Sequence, residues 1–275
     1  MNVTDGSLRS EGIGRRVLAW RGVVGLAPLG VVALAISLPA GAGHRVPGVA
    51  GPSMRGSGGA GGTITGVVRF QGEYPTPEKI EVTQDASVCG TTKLSNTFVI
   101  SPENKGLKNV LVTVEGVTGG KAPTPTPRAT ITQKGCSYEP HFQVVELGPQ
   151  PTELLIRNED GILHNINVSM GGRTLFNSAQ PAILKELKKK LRRPGVAAVK
   201  CDVHGWMNAY IVVLKGQPYY SVSDDTGAFA IHGVPPGTYT LRAWHEALGE
   251  MTRSVTVAEG KTVKVDFVIT PKRRS

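Results

Sequence analysis

From Thr63 onward the chain is a run of short apolar stretches, each broken by turn residues, and this grain limits the fold more than any other feature. β-Branched residues recur at alternate positions, as in Ile64, Gly66, Val68 and in Val110, Val112, Val114. That period of two puts one side of an extended segment into a core and leaves the other half wet. The candidate strands are Thr63–Phe70, Lys79–Thr83, Phe98–Ile100, Asn109–Val114, Ala129–Gln133 and Phe142–Leu147, then Glu153–Arg157, Asn165–Ser169, Val196–Cys201 and Ala209–Leu214. Turns are plentiful: 35 Gly and 19 Pro in 275 residues. With few long helical patterns, the expectation is an all-β chain of one or two compact domains. The one helix candidate is Ala182–Arg193, where Leu184, Leu187 and Leu191 fall at helical spacing before Pro194-Gly195. An irregular connection is the alternative there.

After Gly216-Gln217-Pro218 the texture changes. Tyr220 to Ile231 reads as a hairpin with Asp225-Thr226-Gly227 at its turn. Val234-Pro235-Pro236-Gly237 leads into a second strand ending near Trp244. Ser254–Val257 and Thr262–Ile269 read as another pair around Glu259-Gly260.

The N-terminus has a different character. Arg9, Arg15, Arg16 and Arg21 precede an apolar run from Val23 to Leu38, and Ala40-Gly41-Ala42 follows. A basic region, an apolar region and a small-residue site in that order read as a secretory signal over residues 1–42. A retained membrane anchor is the alternative, although Pro28 and the glycines weaken the run as a helix. Residues 43–62, rich in Gly, Ser and Pro, read as a flexible linker. Residues 63–215 are then expected to form one domain and 216–270 another. Export implies a periplasmic or other extracytoplasmic location, with membrane contact only if the N-terminal segment is uncleaved.

The formal net charge is +10, falling to about +8 without residues 1–42. Much of the remainder sits in Lys185–Arg193 and Lys272–Arg274. Such runs are usually solvated faces, and they can also steer an acidic redox partner or lie near anionic lipid. Nucleic acid is not an expected partner of an exported chain without a binding motif.

Three cysteines, at 89, 136 and 201, leave an odd one in an exported chain. Cys201 stands three residues before a histidine, in a spacing that suits metal, which leaves Cys89 and Cys136 as a candidate disulfide. The chemistry concentrates in Lys200-Cys201-Asp202-Val203-His204-Gly205-Trp206-Met207. A thiolate, an imidazole and a thioether at C-x2-H-x2-M spacing offer soft and borderline ligands from one short loop. With a second imidazole from elsewhere, that donor set is the one found in blue-copper electron-transfer sites. His164 is well placed to supply it: a strand ends at Asn158-Glu159-Asp160, and His164-Asn165 opens the next. Asn165 can hydrogen-bond backbone near the cysteine loop and hold the two pieces together. Each of these residues alone has a blander role, such as a buried thiol, a core methionine or a turn histidine. A zinc site is chemically possible, but methionine is a poor zinc ligand. His141 is a candidate extra ligand and equally a polar or capping histidine. His232 and His245 are expected to be structural, although Trp244-His245-Glu246 can face a partner.

The order strand, Asn-x-Asp, His-Asn, then strand, Cys-x-x-His-x-x-Met, strand resembles the cupredoxins, and the short loop is similar to that of amicyanin. The resemblance covers about Glu153 to Leu214. It implies a Greek-key β-sandwich in which His164, Cys201 and His204 are equatorial copper ligands and Met207 the axial one, with an exposed His204 edge as an electronic path. The basic stretch before Cys201 and the bulk of Trp206 depart from the usual pattern. Residues 220–269 resemble the carboxypeptidase regulatory-like domain, a transthyretin-like β-sandwich. The likeness rests on Asp224-Asp225-Thr-Gly227-Ala-Phe229 and Val234-Pro235-Pro236-Gly237-Thr-Tyr239-Thr-Leu241, and implies that the aromatics enter a core. Thr63–Phe70 is itself similar to the opening strand of such a domain, so the copper unit can be an insertion within it.

The expected function is that of an exported mononuclear copper protein carrying electrons to a redox protein partner. The alternatives are copper storage or delivery, and a β-sandwich that binds polysaccharide or a cell-surface protein through aromatics near Tyr219, Tyr220 and Trp244. No G-x-S-x-G, H-E-x-x-H or P-loop is present, so no enzyme is expected.

Overall fold

Strands dominate the computed structural model, which describes residues 60–73 and 77–271. The expected signal segment, nearly all of the expected linker and the Lys272–Arg274 run lie outside the described residues. Among the described residues no helix is long and apolar enough to cross a membrane.

Four sheets pair into two sandwiches. In the first, Gly62–Phe70 lies between Ala228–Val234 on one side and Thr262–Lys264 and Phe267–Ile269 on the other. Facing it is a sheet ordered Tyr220–Val222, Leu111–Glu115, Gly237–His245, Gly249–Val257. Alternation sends Ile64, Val68 and Phe70 inward to meet Val112, Val114, Leu241 and Val255 in one core. Each fully buried aliphatic or aromatic side chain contributes about 1.5–3 kcal/mol of transfer free energy.

The second sandwich stacks a five-stranded sheet on a four-stranded one. The five run Arg173–Gln180, His164–Met170, Gly195–Lys200, Asn208–Lys215, Phe142–Leu147; the four run Glu186–Leu191, Thr152–Asn158, Arg128–Lys134, Ser137–Glu139. Ile131, Leu154 and Ile156 from one face meet Ile166, Val199 and Ile211 from the other. A smaller cluster joins the sandwiches, with Leu111 and Trp244 of the first against Phe142 and Val212 of the second.

In place of two consecutive units divided at residue 215/216, the strand pairing has the inserted arrangement that the likeness of Thr63–Phe70 to an opening strand allowed. Gly62–Phe70 and Leu111–Glu115 pair with the C-terminal strands, so the second sandwich, Arg128 to Lys215, is inserted in the first. Two expected strand pairs are also corrected. Tyr220–Val222 and Ala228–Val234 belong to opposite sheets, as do Gly249–Val257 and Thr262–Lys264. Their turns are corners between layers rather than hairpin ends. At the first corner Asp224 Oδ1 accepts from the backbone of Thr226 and Ala228. Gly227 has φ +75°, and a Cβ there would stand 2.3 Å from the Val68 carbonyl oxygen, so only glycine fits.

The expected helix over Ala182–Arg193 is instead a strand, Glu186–Leu191, paired antiparallel with Thr152–Asn158. Leu187, Lys189 and Leu191 share the inward side at period two, with Lys189 lying over the Phe176 ring. The leucine spacing that suggested a helix fits a strand equally well at Leu187 and Leu191. Phe98–Ile100 is no strand among the described residues but bridges through Ile100 to Leu107, while Arg173–Gln180 is a strand that its polar composition concealed.

Candidate metal centre

Two neighbouring strands of the five-stranded sheet bring the site together. His164 opens the strand His164–Met170, after a turn in which Asn158 Nδ2 donates to the Ile162 carbonyl at 2.8 Å. The Cys201–Met207 loop joins Gly195–Lys200 to Asn208–Lys215, which pair antiparallel. Within it, Cys201 N donates to Met207 O at 3.2 Å, Met207 N to His204 O at 2.9 Å, and His204 N to Cys201 Sγ at 3.3 Å. The short loop therefore folds back on its own sulfur.

His164 Nδ1 and His204 Nδ1 are 2.9 Å apart, and Cys201 Sγ is 3.9 Å from His204 Nδ1. The donor atoms of these three residues all lie within 4.8 Å of one another, and all three side chains are buried. The outer nitrogens are occupied: His164 Nε2 is 2.9 Å from Asp160 Oδ2, and His204 Nε2 is 2.9 Å from Asp85 Oδ2. A carboxylate only accepts, so in the neutral rings Nε2 carries the hydrogen and Nδ1 keeps a lone pair. Two lone pairs meeting at hydrogen-bond distance repel unless a proton or a cation lies between them. Two imidazoles and a thiol converging in a buried space fit a copper ion in type and in spacing. Met207 is buried in the same core as Cys201.

A shell of hydrogen bonds fixes the loop against the histidine strand. Asn165 Oδ1 accepts from Asp202 N at 2.5 Å and Val203 N at 3.3 Å, and its Nδ2 donates to Asp202 Oδ2 at 2.9 Å. Asn167 and Asn177 also donate to the Asp202 carboxylate, and these amide bonds hold its acid below the usual range. The Tyr138 hydroxyl, buried, donates to the carbonyls of Asn165 (2.5 Å) and Lys200 (3.2 Å). Burial pushes its phenol far above the ordinary value, so it remains a donor. Burial likewise lowers the His164 pKa, against an opposing pull from its hydrogen bond to Asp160.

His141 is not among the residues that meet at this cluster. Its Nε2 faces Glu246 Oε1 at 2.7 Å and its Nδ1 the Asn208 carbonyl at 3.2 Å, so both ring nitrogens are engaged where the two sandwiches meet. The His204 edge expected to be exposed is covered, its side chain 0% accessible beneath Asp85. Of the aromatics expected to bind polysaccharide or protein, Tyr219 is fully buried and Trp244 packs against Phe142 and Tyr210. A disulfide joins Cys89 to Cys136. Sequence reasoning missed Asp85 and Tyr138 as neighbours of the site, and placed Asp160 in the turn before His164 without its bond to the ring. The i, i+4 spacing of Asp160 and His164 was a usable signal, whereas Asp85 lies 119 residues from His204 and carried none.

Residues 205–270 match the family model of the carboxypeptidase regulatory-like domain. No curated protein matches the chain in sequence. Among solved structures the chain is similar to a purple cupredoxin from Nitrosopumilus maritimus, with 23% identity over 31% of this chain and 98% of that one, TM-score 0.27. It is also similar to an amicyanin variant in the Cu(I) state, 15% identical over 37% of this chain and 97% of that one, TM-score 0.28. A copper-containing nitrite reductase from Thermus scotoductus is 22% identical over 35% of this chain, TM-score 0.28, and the chain spans 24% of its length.

Proposed function

We propose that this chain is an exported mononuclear copper protein that carries electrons for a redox protein partner. His164, Cys201 and His204 would hold the ion, and Met207, buried in the same core, would supply a fourth, thioether donor. The observation that carries this reading is the meeting of two imidazole Nδ1 atoms at 2.9 Å beside a buried cysteine, each ring backed by a carboxylate. Copper bound there would accept and release one electron between Cu(II) and Cu(I). The protein's part is to hold the donors still and dry. Paired strands fix His164 and the loop ends, Asn165 and Tyr138 tie the two pieces, and burial of all three donors excludes water. A disulfide agrees with an oxidising compartment, and so with export.

The test is the visible absorption spectrum of the chain lacking residues 1–42 after addition of Cu(II), beside a Cys201→Ser variant. An intense thiolate-to-copper band lost in the variant is the expected result. Absence of the band from the parent chain, with Cys201 free, would sink the copper reading.

A further inference from the structure

The two carboxylates behind the histidines arrive by different routes, and one covalent bond links the routes. Asp160 sits four residues before His164. Besides reaching the ring, it accepts from Gly135 N at 2.5 Å and Cys136 N at 2.8 Å. Asp85 comes from a two-stranded ribbon, Lys79–Glu81 with Thr92–Leu94, that among the described residues joins none of the four sandwich sheets. Cys89 is the buried residue of that ribbon, and its partner is Cys136. The path His164, Asp160, Cys136, Cys89, Asp85, His204 is therefore a ring, closed on the inside by the facing Nδ1 atoms. The Cys136 sulfur, an Asp160 carboxylate oxygen and a ring nitrogen of His164 lie within 4.8 Å of one another. Asp85 itself adopts φ 52° at the start of the short helix Ala86–Cys89, yet its carboxylate makes no capping bond there and turns to His204 instead.

We propose that Asp85 is a positioning residue of the metal centre, held over His204 by the Cys89–Cys136 disulfide, and that it sets the His204 tautomer and favours Cu(II) over Cu(I). This rests on the copper reading above. A carboxylate hydrogen-bonded to the far nitrogen of a ligand imidazole fixes the ring and raises its basicity, and loss of such a partner typically weakens metal binding 10–100-fold. The negative charge stabilises the more positive ion. The Asp85 side chain is 41% accessible, so solvent screens it and the lower end of that range applies. Among the described residues, Val82 also packs against the core of the inserted sandwich, and Lys93 Nζ donates to the Gly135 carbonyl from an exposed position. The disulfide is the one covalent link among these contacts, and it lies four residues from Asp85.

The experiment compares the parent chain with Asp85→Ala, Asp85→Asn, a Cys89→Ser/Cys136→Ser double variant, and the latter combined with Asp85→Ala. Side-chain nitrogen shifts of the histidines, measured without metal, report the tautomer. The expected result is Nε2–H on His204 in the parent and in Asp85→Asn, whose amide oxygen still accepts, and loss of that preference in Asp85→Ala and the cysteine variant. The copper potential should rise in all three, by about 59 mV for each tenfold loss of Cu(II) over Cu(I) binding. Adding Asp85→Ala to the cysteine variant should raise it no further. Unchanged tautomer and potential in Asp85→Ala would overturn the proposal, as would shifts from Asp85 and the disulfide that simply add. A parent chain that takes up no copper would end the copper reading, while the tautomer measurement would still decide whether Asp85 holds His204.

Discussion

His164 Nδ1 and His204 Nδ1 face each other at 2.9 Å across forty residues of chain. Folding brings these two lone pairs together, so without metal the site is a weak point that only a proton or a cation between them relieves. Copper at a thousandfold excess over its dissociation constant is expected to raise stability by about 4 kcal/mol. Thermal unfolding with and without Cu(II) checks this, and a chelator should return the midpoint to the metal-free value. A midpoint indifferent to copper would count against the site.

Asn165 joins the histidine strand to the cysteine loop through Asp202 N and Val203 N. Asn165→Ala leaves both donors without their acceptor, and the expected cost is about 2 kcal/mol of stability. Denaturant unfolding measures that cost. Because the loop also loses its anchor, the absorption band of added copper should weaken or shift. Loss of stability with an unchanged band would restrict Asn165 to a structural part.

His245 supplies a pH dependence unrelated to the metal donors. Burial lowers its pKa below the ordinary 6.5, against Glu246, with His141 adding to the lowering and the Thr97 backbone opposing it. Its ring stacks on Phe98 at 5.7 Å. The folded chain thus keeps His245 neutral where the unfolded chain takes up a proton. Its contribution to stability is complete above about pH 6.5 and declines as the pH falls. The unfolding midpoint should drop between pH 7 and pH 5, and His245→Phe should flatten that drop. Equal slopes in the two chains would show that His245 is not its source.

A chain beginning at residue 216 is expected to be unfolded, since its sheets lack Gly62–Phe70 and Leu111–Glu115. Far-ultraviolet dichroism and proton-shift dispersion would show this. A folded fragment would mean that the C-terminal strands can close a core without those two partners.

How much of this was legible in the sequence depended on whether the signal was local. Alternation in Ile64–Val68 and Val110–Val114 marked strands because burial on one face leaves a period of two. The loop Cys201–Met207 was legible because its donors lie within seven residues. Pairing left no such mark. Nothing local says that Tyr220–Val222 and Ala228–Val234 enter opposite sheets, and only the likeness of Thr63–Phe70 to an opening strand hinted that Gly62–Phe70 closes a C-terminal core. The strand Glu186–Leu191 was misread because Leu187 and Leu191 are four apart, a separation that keeps both on one side of a helix and of a strand. Asp85 was invisible for the same reason as the pairing: its role depends on a contact made after folding.

The insertion also decides how the molecule answers to tension. Val68 to Phe70 run parallel to Phe267 to Ile269, in register. A pull applied upstream of Gly62 and downstream of Ile269 would load that ladder in shear, its hydrogen bonds sharing the force together rather than parting one at a time. The inserted sandwich leaves and re-enters the outer one behind this lock, off the load path. The cluster of His164, Cys201 and His204 would keep its geometry until the outer strands gave way.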